Sequence, residues 1–505
     1  MNKPILIILG IVLLLVVSGC TTLTSQYNTK SDSYSRDDSS LTDALFGTQC
    51  GNGRCEQGES LNNCCQDCGC DTGFYCISGL CQSQCGDSVK ASDETSENCC
   101  QDAGCPTGEV CQNNKCVELK PEISATFTQT TESFSVTYLK AKGDKVGQIT
   151  LKNNGNDIAN DVKLVLSSQN GYFSDKTINF GTLYLNTTKT QSVDLTFLEK
   201  VLDVTTDEDI TLNVIITFYN SANKLYETRD SFSMKIKGRN YIIWDKPKML
   251  SSWVTPTQVS IREFAAKSTA GLPAGMSSSS PYIQKMAARW LFESMRAYGI
   301  RYVNDAHSSG DYLQFPYETL KNKAGDCDDL AILYASLLES IGLESFLMLV
   351  PGHIFAGYID SKGRAVPIET TSDNFENALY SGLYEYTHYI QEDNYELIYP
   401  TKSWYEYPQV NLPEKTELKM PSITKEIGDC EIGFNFPDLF VASVNVKFVN
   451  TGDATGAGCA VVATYQNGEI KDSVNGCWII NPGETKDITF QPDIDILSSY
   501  SCVSF

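Results

Sequence analysis

At 505 residues the chain is too long for a single hydrophobic core, and three to five domains are expected. Its 39 basic and 62 acidic side chains leave a net charge of −23, which excludes nucleic acid as a main partner, because phosphates are engaged by Lys and Arg. Such a charge suits a surface that faces water.

The first residues read as an export signal: Met1-Asn2-Lys3-Pro4, an apolar run from Ile5 to Val17, then Ser18-Gly19-Cys20. The run is short for a membrane span, which needs about 20 residues. Val17-Ser18-Gly19-Cys20 resembles a bacterial lipobox, and the resemblance implies cleavage before Cys20 and lipidation of that cysteine. The other reading of residues 1–20 is an uncleaved anchor helix. Both place the chain outside the cytoplasm at the cell surface, with the membrane as its partner through the N-terminus. Residues 21–48, rich in Ser, Thr, Asp and Asn, cannot bury enough surface to fold and read as a flexible tether.

Residues 50–116 hold 14 cysteines, which outside the cytosol means a disulfide framework. An internal repeat with an offset of 35 matches Cys50, Cys64, Cys65, Cys70, Cys76 and Cys81 with Cys85, Cys99, Cys100, Cys105, Cys111 and Cys116. The shared Asn-Cys-Cys-Gln-Asp cores at Asn63–Asp67 and Asn98–Asp102 fix the register, giving repeats over 49–84 and 85–118. The second copy has Lys90 in place of Cys55 and Ala103 in place of Cys68. Two cysteines that vanish together imply a bond between Cys55 and Cys68. Zinc is the rival for such clusters, but neither copy contains a histidine, and no metal or other cofactor is expected. The repeats read as stiff spacers or as knobs for a surface protein or glycan.

From 120 to 240 apolar and polar residues alternate. Ile149 and Leu151 share one strand face, Asn153-Asn154-Gly155-Asn156 makes a turn, and Val162, Leu164 and Leu166 follow. Residues 420–505 repeat the theme, with Val444, Val446 and Phe448 before Asn450-Thr451-Gly452-Asp453 and a later turn at Asn481-Pro482-Gly483-Glu484. Both segments are expected to be all-β antiparallel sandwiches, and they resemble the immunoglobulin-like modules of cell-surface proteins in pattern. Cys430, Cys459, Cys477 and Cys502 are expected to form two disulfides in the second. Asn186-Thr187-Thr188 is a glycosylation sequon.

Between them, 241–412 has helices followed by strands, an α+β texture. Ser280-Pro281 opens a helix with Ile283, Ala287, Trp290, Leu291, Met295 and Tyr298 on one face. A second helix begins at Asp326, an N-cap type, with Asp329 three residues on and Leu330, Leu333, Tyr334, Leu337, Leu338 and Ile341 as its buried stripe. Cys327, the one cysteine between Cys116 and Cys430, falls on its first turn. Helix-terminal amides stabilise a thiolate and can hold an oxyanion, whereas Asp326, Asp328 and Asp329 oppose a thiolate, so a cationic partner is expected. A calcium site on those carboxylates is disfavoured, since a loop site wants a Gly within the ligand run and a terminal Glu.

The partner is His353, one of three histidines, in Pro351-Gly352-His353 between two strand-like runs. Hairpin pairing about Asp360-Ser361-Lys362-Gly363 brings Glu369 roughly opposite His353 and leaves Asp360 about 23 Å along the strand. Glu369 is therefore the acid expected to orient the imidazole. His307 sits in a loop that could line the cleft, and His388 has no evident partner and reads as structural.

Gly325-Asp326-Cys327-Asp328-Asp329-Leu330-Ala331, Pro351-Gly352-His353 and Pro367-Ile368-Glu369-Thr370, approached by Gln314-Phe315-Pro316-Tyr317-Glu318, resemble the transglutaminase-like superfamily of papain-type cysteine enzymes over about 280–375. The resemblance implies a papain-like α+β core. It also implies acyl transfer through a thioester, with Cys327 as nucleophile, His353 as proton shuttle and Glu369, where many members have Asp, as the orienting acid. Gln314 and Tyr317 are candidates for a second oxyanion donor beside the backbone amide of Cys327. A protein or peptide amide would be the substrate, and either water or an amine the acceptor. The alternatives are a surface binding or scaffold protein that keeps the cleft without catalysis, and a purely structural envelope protein.

Overall fold

Small Cys-rich modules are too short to build a large apolar core and rely on cross-links instead. The computed structural model of the protein describes residues 50–140, 145–273, 275–304, 312–433, 441–466, 469–492 and 501–504. The expected signal with Cys20, the tether and His307 lie outside these residues. The described chain divides into two compact units, one of residues 50–104 with 113–115 and one of 105–112 with everything from 116 onward.

In the first unit Cys50 is bonded to Cys64, Cys55 to Cys68, Cys65 to Cys76, Cys70 to Cys81 and Cys85 to Cys99. The repeat extends to hydrogen bonding. Asp67 accepts the amides of Gly51 and Gly53 at 2.5 and 2.7 Å, and Asp102 accepts those of Gly86 and Ser88 at 2.5 and 2.9 Å. Lys90 and Ala103 stand where the first copy carries the Cys55–Cys68 bond, so neither cysteine is left without its partner.

The second unit opens with antiparallel sheets. Strands β1 (Ile123–Gln129), β3 (Lys145–Asn153) and β6 (Thr188–Asp194) form one sheet in the order β6-β3-β1. Strands β2 (Ser133–Phe134), β4 (Ala159–Ser168), β5 (Lys176–Leu183), β7 (Glu208–Tyr219) and β8 (Leu225–Lys237) form the other, in the order β2-β8-β7-β4-β5. The pairing is antiparallel except between β8 and β2. The predicted alternation is the inner face: Ile149, Leu151, Val162, Leu164 and Leu166 are fully buried in one shared core.

The central segment has helices α1 (Val259–Ser268), α2 (Pro281–Tyr298), α3 (Pro316–Asn322) and α4 (Cys327–Ser340), then strands β9 (Ser345–Val350), β10 (His353–Ile359) and β11 (Ala365–Ile368). Helix α5 (Phe375–Glu392) and strand β12 (Glu396–Ile398) complete it, and the antiparallel sheet runs β11-β10-β9-β12. Helix α2 starts as its sequence predicts, with Ser280 accepting the amide of Ile283 and Pro281 at the first position. Helix α4 is buried all round from Leu330 to Leu338, not on one stripe alone. It is the central rod of the largest core, with Trp253, Phe264, Phe292 and Tyr358 around it.

The C-terminal strands β13 (Ile423–Gly433), β14 (Val441–Asn450), β15 (Gly456–Gln466), β16 (Glu469–Ile480), β17 (Thr485–Phe490) and β18 (Ser501–Ser504) form two three-stranded sheets, β13-β14-β17 and β16-β15-β18. Cys459 is bonded to Cys477 across β15 and β16, and Cys430 is also in a disulfide. A separate apolar seam joins Met286 and Trp290 of α2 to Cys459 and Val461 of β15, and the Lys425 ammonium lies 4.3 Å above the Trp290 ring.

The two sandwich segments share a device that alternation does not reveal. Asn153 and Asn450 are fully buried, and each Nδ2 donates to two carbonyls, those of Asp157 and Leu183 in one and of Ala454 and Ile480 in the other. Each Oδ1 accepts the amide two residues on, from Gly155 or Gly452, at 3.0 Å. A Cβ on Gly155 would lie 2.3 Å from the Lys120 carbonyl oxygen, and one on Gly452 would lie 2.4 Å from the Ser422 nitrogen. Glycine is required at both corners because backbone passes that closely.

Candidate functional site

Helix α4 presents Cys327 at its first position, after an extended Asp326 in the N-cap place. The Asp326 side chain makes no capping bond. It bonds to Asp328 instead, so the expected cap is a cap in position only and the first-turn amides carry no side-chain acceptor from it. Asp329 does not complete a capping box either. Its carboxylate accepts the backbone amide of Gln314 at 2.7 Å and also the Gln314 side-chain amide, tying the segment before α3 to α4.

Cys327 is half-buried and is the free cysteine among the described residues. It opens onto a cavity of about 520 Å³ whose walls include Trp244, Asp328, Leu349, Val350, His353 and Ile354. Strand β9 ends at Val350, and the chain turns at Gly352, φ +73°, to start β10 at His353, directly across from Val350. That tight return sets the imidazole in the wall of the cavity.

His353 Nε2 lies 2.7 Å from Glu369 Oε2, and the ring also hydrogen-bonds the Cys327 thiol. With Nε2 directed at the carboxylate, Nδ1 is the nitrogen left for sulfur. The sheet register explains how Glu369 arrives. Ile368 is the last residue paired, opposite Ala356, so Glu369 falls abreast of Phe355 rather than opposite His353. Residues two apart on a strand share a face, and the carboxylate reaches the imidazole along the diagonal. Glu369 is 4 % exposed, and its other oxygen accepts the Thr371 amide at 2.9 Å and the Thr371 hydroxyl at 2.6 Å.

These contacts push the His353 imidazole from 6.5 up to about 10, first through the thiol hydrogen bond and then through Glu369, against the opposing effect of burial. Burial pushes the Glu369 carboxyl up, but His353 and Thr371 outweigh it and hold it below its ordinary 4.5. The raised imidazole stabilises the fold fully below 6.5, and that contribution is lost as pH rises toward about 10. The lowered carboxylate stabilises it above 4.5, and that is lost on acidification. The pair is therefore expected to give its full contribution between about 4.5 and 6.5. NMR shifts of the His353 ring nitrogens should report a protonated imidazole at pH 8, and thermal unfolding followed across pH should show the decline on the alkaline side.

Two groups near this trio, Glu385 and Tyr302, carry no recognisable sequence signal, and a third, Asp328, is legible only as a carboxylate beside the thiol. Glu385, on α5, places Oε2 3.9 Å from His353 Nε2. Tyr302 follows α2 in a two-residue strand beside Gly325, and its phenol is pushed up by burial and then by Cys327, Asp326, Asp328 and Glu369. Asp328 is 7 % exposed, its Oδ1 has no hydrogen-bond partner, and its carboxyl is raised far above the ordinary range by burial and then by its acidic neighbours.

The two proposed oxyanion donors are not brought into the set. Gln314 Nε2 donates to the Ala324 carbonyl at 3.1 Å and to Asp329, which uses both of its amide protons. Tyr317 donates its hydroxyl to the Thr416 carbonyl at 2.9 Å and is 6 % exposed. His388 is not an interior residue either. It lies on the outer surface of α5, 3.5 Å from Glu392 and against the rings of Tyr384 and Tyr389. No helix among the described residues is long and apolar enough to cross a membrane.

No protein-family model matches the chain, and no curated protein matches it. Solved structures that match include a protein described as late embryogenesis abundant, at 19 % identity over 23 % of this chain and 71 % of that one, with a TM-score of 0.18. A Ca2+-stabilised adhesin that helps an Antarctic bacterium bind ice matches at 13 % identity over 73 % of both chains, with a TM-score of 0.17. Native alpha-2-macroglobulin from Escherichia coli matches at 7 % identity over 70 % of this chain and 85 % of that one, with a TM-score of 0.18. Likeness at this level establishes neither a shared fold nor a shared function.

Proposed function

We propose that the central segment is a cysteine acyl-transfer domain of the transglutaminase-like, papain-type class, acting on protein or peptide amides. The observation that carries the reading is the continuous hydrogen-bonded run from the Cys327 thiol through His353 to Glu369 at the wall of one cavity. A helix-terminal thiol, an imidazole and an orienting carboxylate are the three parts that thioester chemistry needs.

In this reading Cys327 Sγ attacks the amide carbonyl carbon, and the first-turn amides of α4 receive the charge that develops on oxygen. The C–N bond breaks as His353 Nδ1 gives its proton to the leaving nitrogen, and a thioester forms. Water or an amine then adds to the thioester, passing a proton to His353. The C–S bond breaks, and the thiol pair is restored. Glu369 holds Nε2 throughout, which keeps Nδ1 aimed at sulfur.

The disulfides fit an oxidising, extracellular setting. We place the enzyme at the cell surface, tethered through its N-terminus, with the Cys-rich repeats as spacers or docking knobs. The test is iodoacetamide labelling of the chain from residue 21 onward, mapped by mass spectrometry. Cys327 should react about tenfold faster at pH 6 than a cysteine in an unstructured peptide. Labelling no faster than the peptide would leave the chain as a surface binding protein.

A further inference from the structure

The cavity beside Cys327 is built unevenly. Trp244, Leu349, Val350 and Ile354 make its apolar walls, and no Lys or Arg is among its lining residues. Its one carboxyl is Asp328, 7 % exposed, with an oxygen that has no hydrogen-bond partner. A buried polar atom left without a partner is costly and points to a ligand group that supplies one. Asp328 bonds to Asp326, which also has an unpartnered buried oxygen, and Glu369 and Glu385 lie 2.7 and 3.9 Å from His353 Nε2.

We propose that this cavity selects polypeptide amides flanked by a basic residue, whose cationic head pairs with Asp328 while its aliphatic stem lies on the apolar walls. The inference rests on the acyl-transfer reading and names its substrate class. The stem and head of Lys or Arg match the cavity in order, an apolar length ending in a charge. A guanidinium would displace the proton that Asp328 shares with Asp326 and supply donors to both carboxylates in its place, and desolvation strengthens such a bond. A substrate with Asp or Glu at the same place would meet Asp328, the one carboxyl in the lining, with no Lys or Arg beside it to pair with. A net charge of −23 also draws basic polypeptides toward the surface before they reach the cleft.

Peptidyl vinyl sulfones test this without the natural substrate. The thiolate adds to the alkene carbon β to the sulfone, which is bonded to the variable residue, and the carbon beside the sulfone takes the proton from His353. Three probes would be compared, identical except for arginine, citrulline or glutamate next to the reactive carbon. Citrulline keeps the shape of arginine without its charge, and neither residue can act as an acceptor amine. Inactivation at Cys327 should be about tenfold faster for arginine than for citrulline, and slowest for glutamate. In Asp328→Asn the arginine-to-citrulline ratio should fall to about twofold or less. The ratio is internal to each protein, so it is read even where the variant reacts slowly overall. Equal rates for arginine and citrulline, with fast iodoacetamide labelling, would overturn the selectivity and leave the acyl-transfer reading standing. An undiminished ratio in Asp328→Asn would overturn the assignment of the charge reader. Slow labelling by every probe, iodoacetamide included, would remove both.

Discussion

His353→Ala is expected to slow thiol alkylation at Cys327 by about 100-fold at pH 6 and turnover of any amide substrate by 10²–10⁴-fold. The imidazole hydrogen-bonds the thiol, and that bond is the first cause of the raised proton affinity of His353. Removing it leaves Cys327 beside Asp326 and Asp328 with no compensating cation, a setting that opposes a thiolate. The backbone should tolerate the change. His353 pairs with Val350 through main-chain atoms at the start of β10, and its side chain is 27 % exposed. Glu369 loses one bond but keeps both from Thr371, so the expected cost in stability is about 1–3 kcal/mol. Alkylation followed by mass spectrometry, with a thermal unfolding curve on the same sample, separates the two effects. An unchanged alkylation rate in a folded variant would end the catalytic reading.

Glu369→Gln should lower turnover by about 10³-fold while leaving the fold intact. The substitution preserves shape and removes the charge. Both Thr371 donors point at one carboxylate oxygen and the imidazole at the other. A glutamine has one acceptor oxygen and one NH₂, so either Thr371 or His353 must face a donor instead. Whichever arrangement results, the imidazolium loses its closest counter-charge, and its proton affinity falls. The readout specific to this role is the NMR titration of His353, which should move down from about 10, and a structural role alone would not shift it. Glu385, 3.9 Å from the same nitrogen, remains in the variant and limits how far it falls. An unshifted titration would mean that Glu369 supports the turn after β11 and does not act through the imidazole.

Much of this site could be read from the residues because its parts lie close along the chain. Cys327 heads a helix with an unmistakable apolar continuation, and a Gly-His step followed by a hairpin of known turn leaves few candidates for the third group. The residue count still placed Glu369 one diagonal off, because the sheet pairs Ile368 with Ala356. What failed was inference from nearness in sequence. Gln314 and Tyr317 precede Cys327 closely, yet their donors are taken by Asp329, Ala324 and Thr416, which only the folded chain brings near. Glu385 and Tyr302 arrive through the crossing of α5 over the sheet and through a two-residue strand, and neither leaves a periodic trace. The buried asparagine corners read as turns because Asn and Gly favour turns, while the carbonyls they satisfy lie as far as 30 residues away.

The seam between α2 and β15 bears on how this gene can be rearranged. Trp290 is 1 % exposed because the C-terminal strands cover it. The chain between the two segments is anchored as well, since Tyr298 donates to the Lys419 carbonyl at 2.8 Å and Tyr317 to that of Thr416. A recombination breakpoint in 412–420, where composition alone suggests a linker, would split one apolar surface and expose Trp290 on a helical segment that lacked a replacement partner. The helical segment and the last sandwich should therefore be inherited as a pair. At the N-terminal end the Cys-rich unit is cross-linked by disulfides instead of resting on a large apolar core, so shuffling is expected to be freer there.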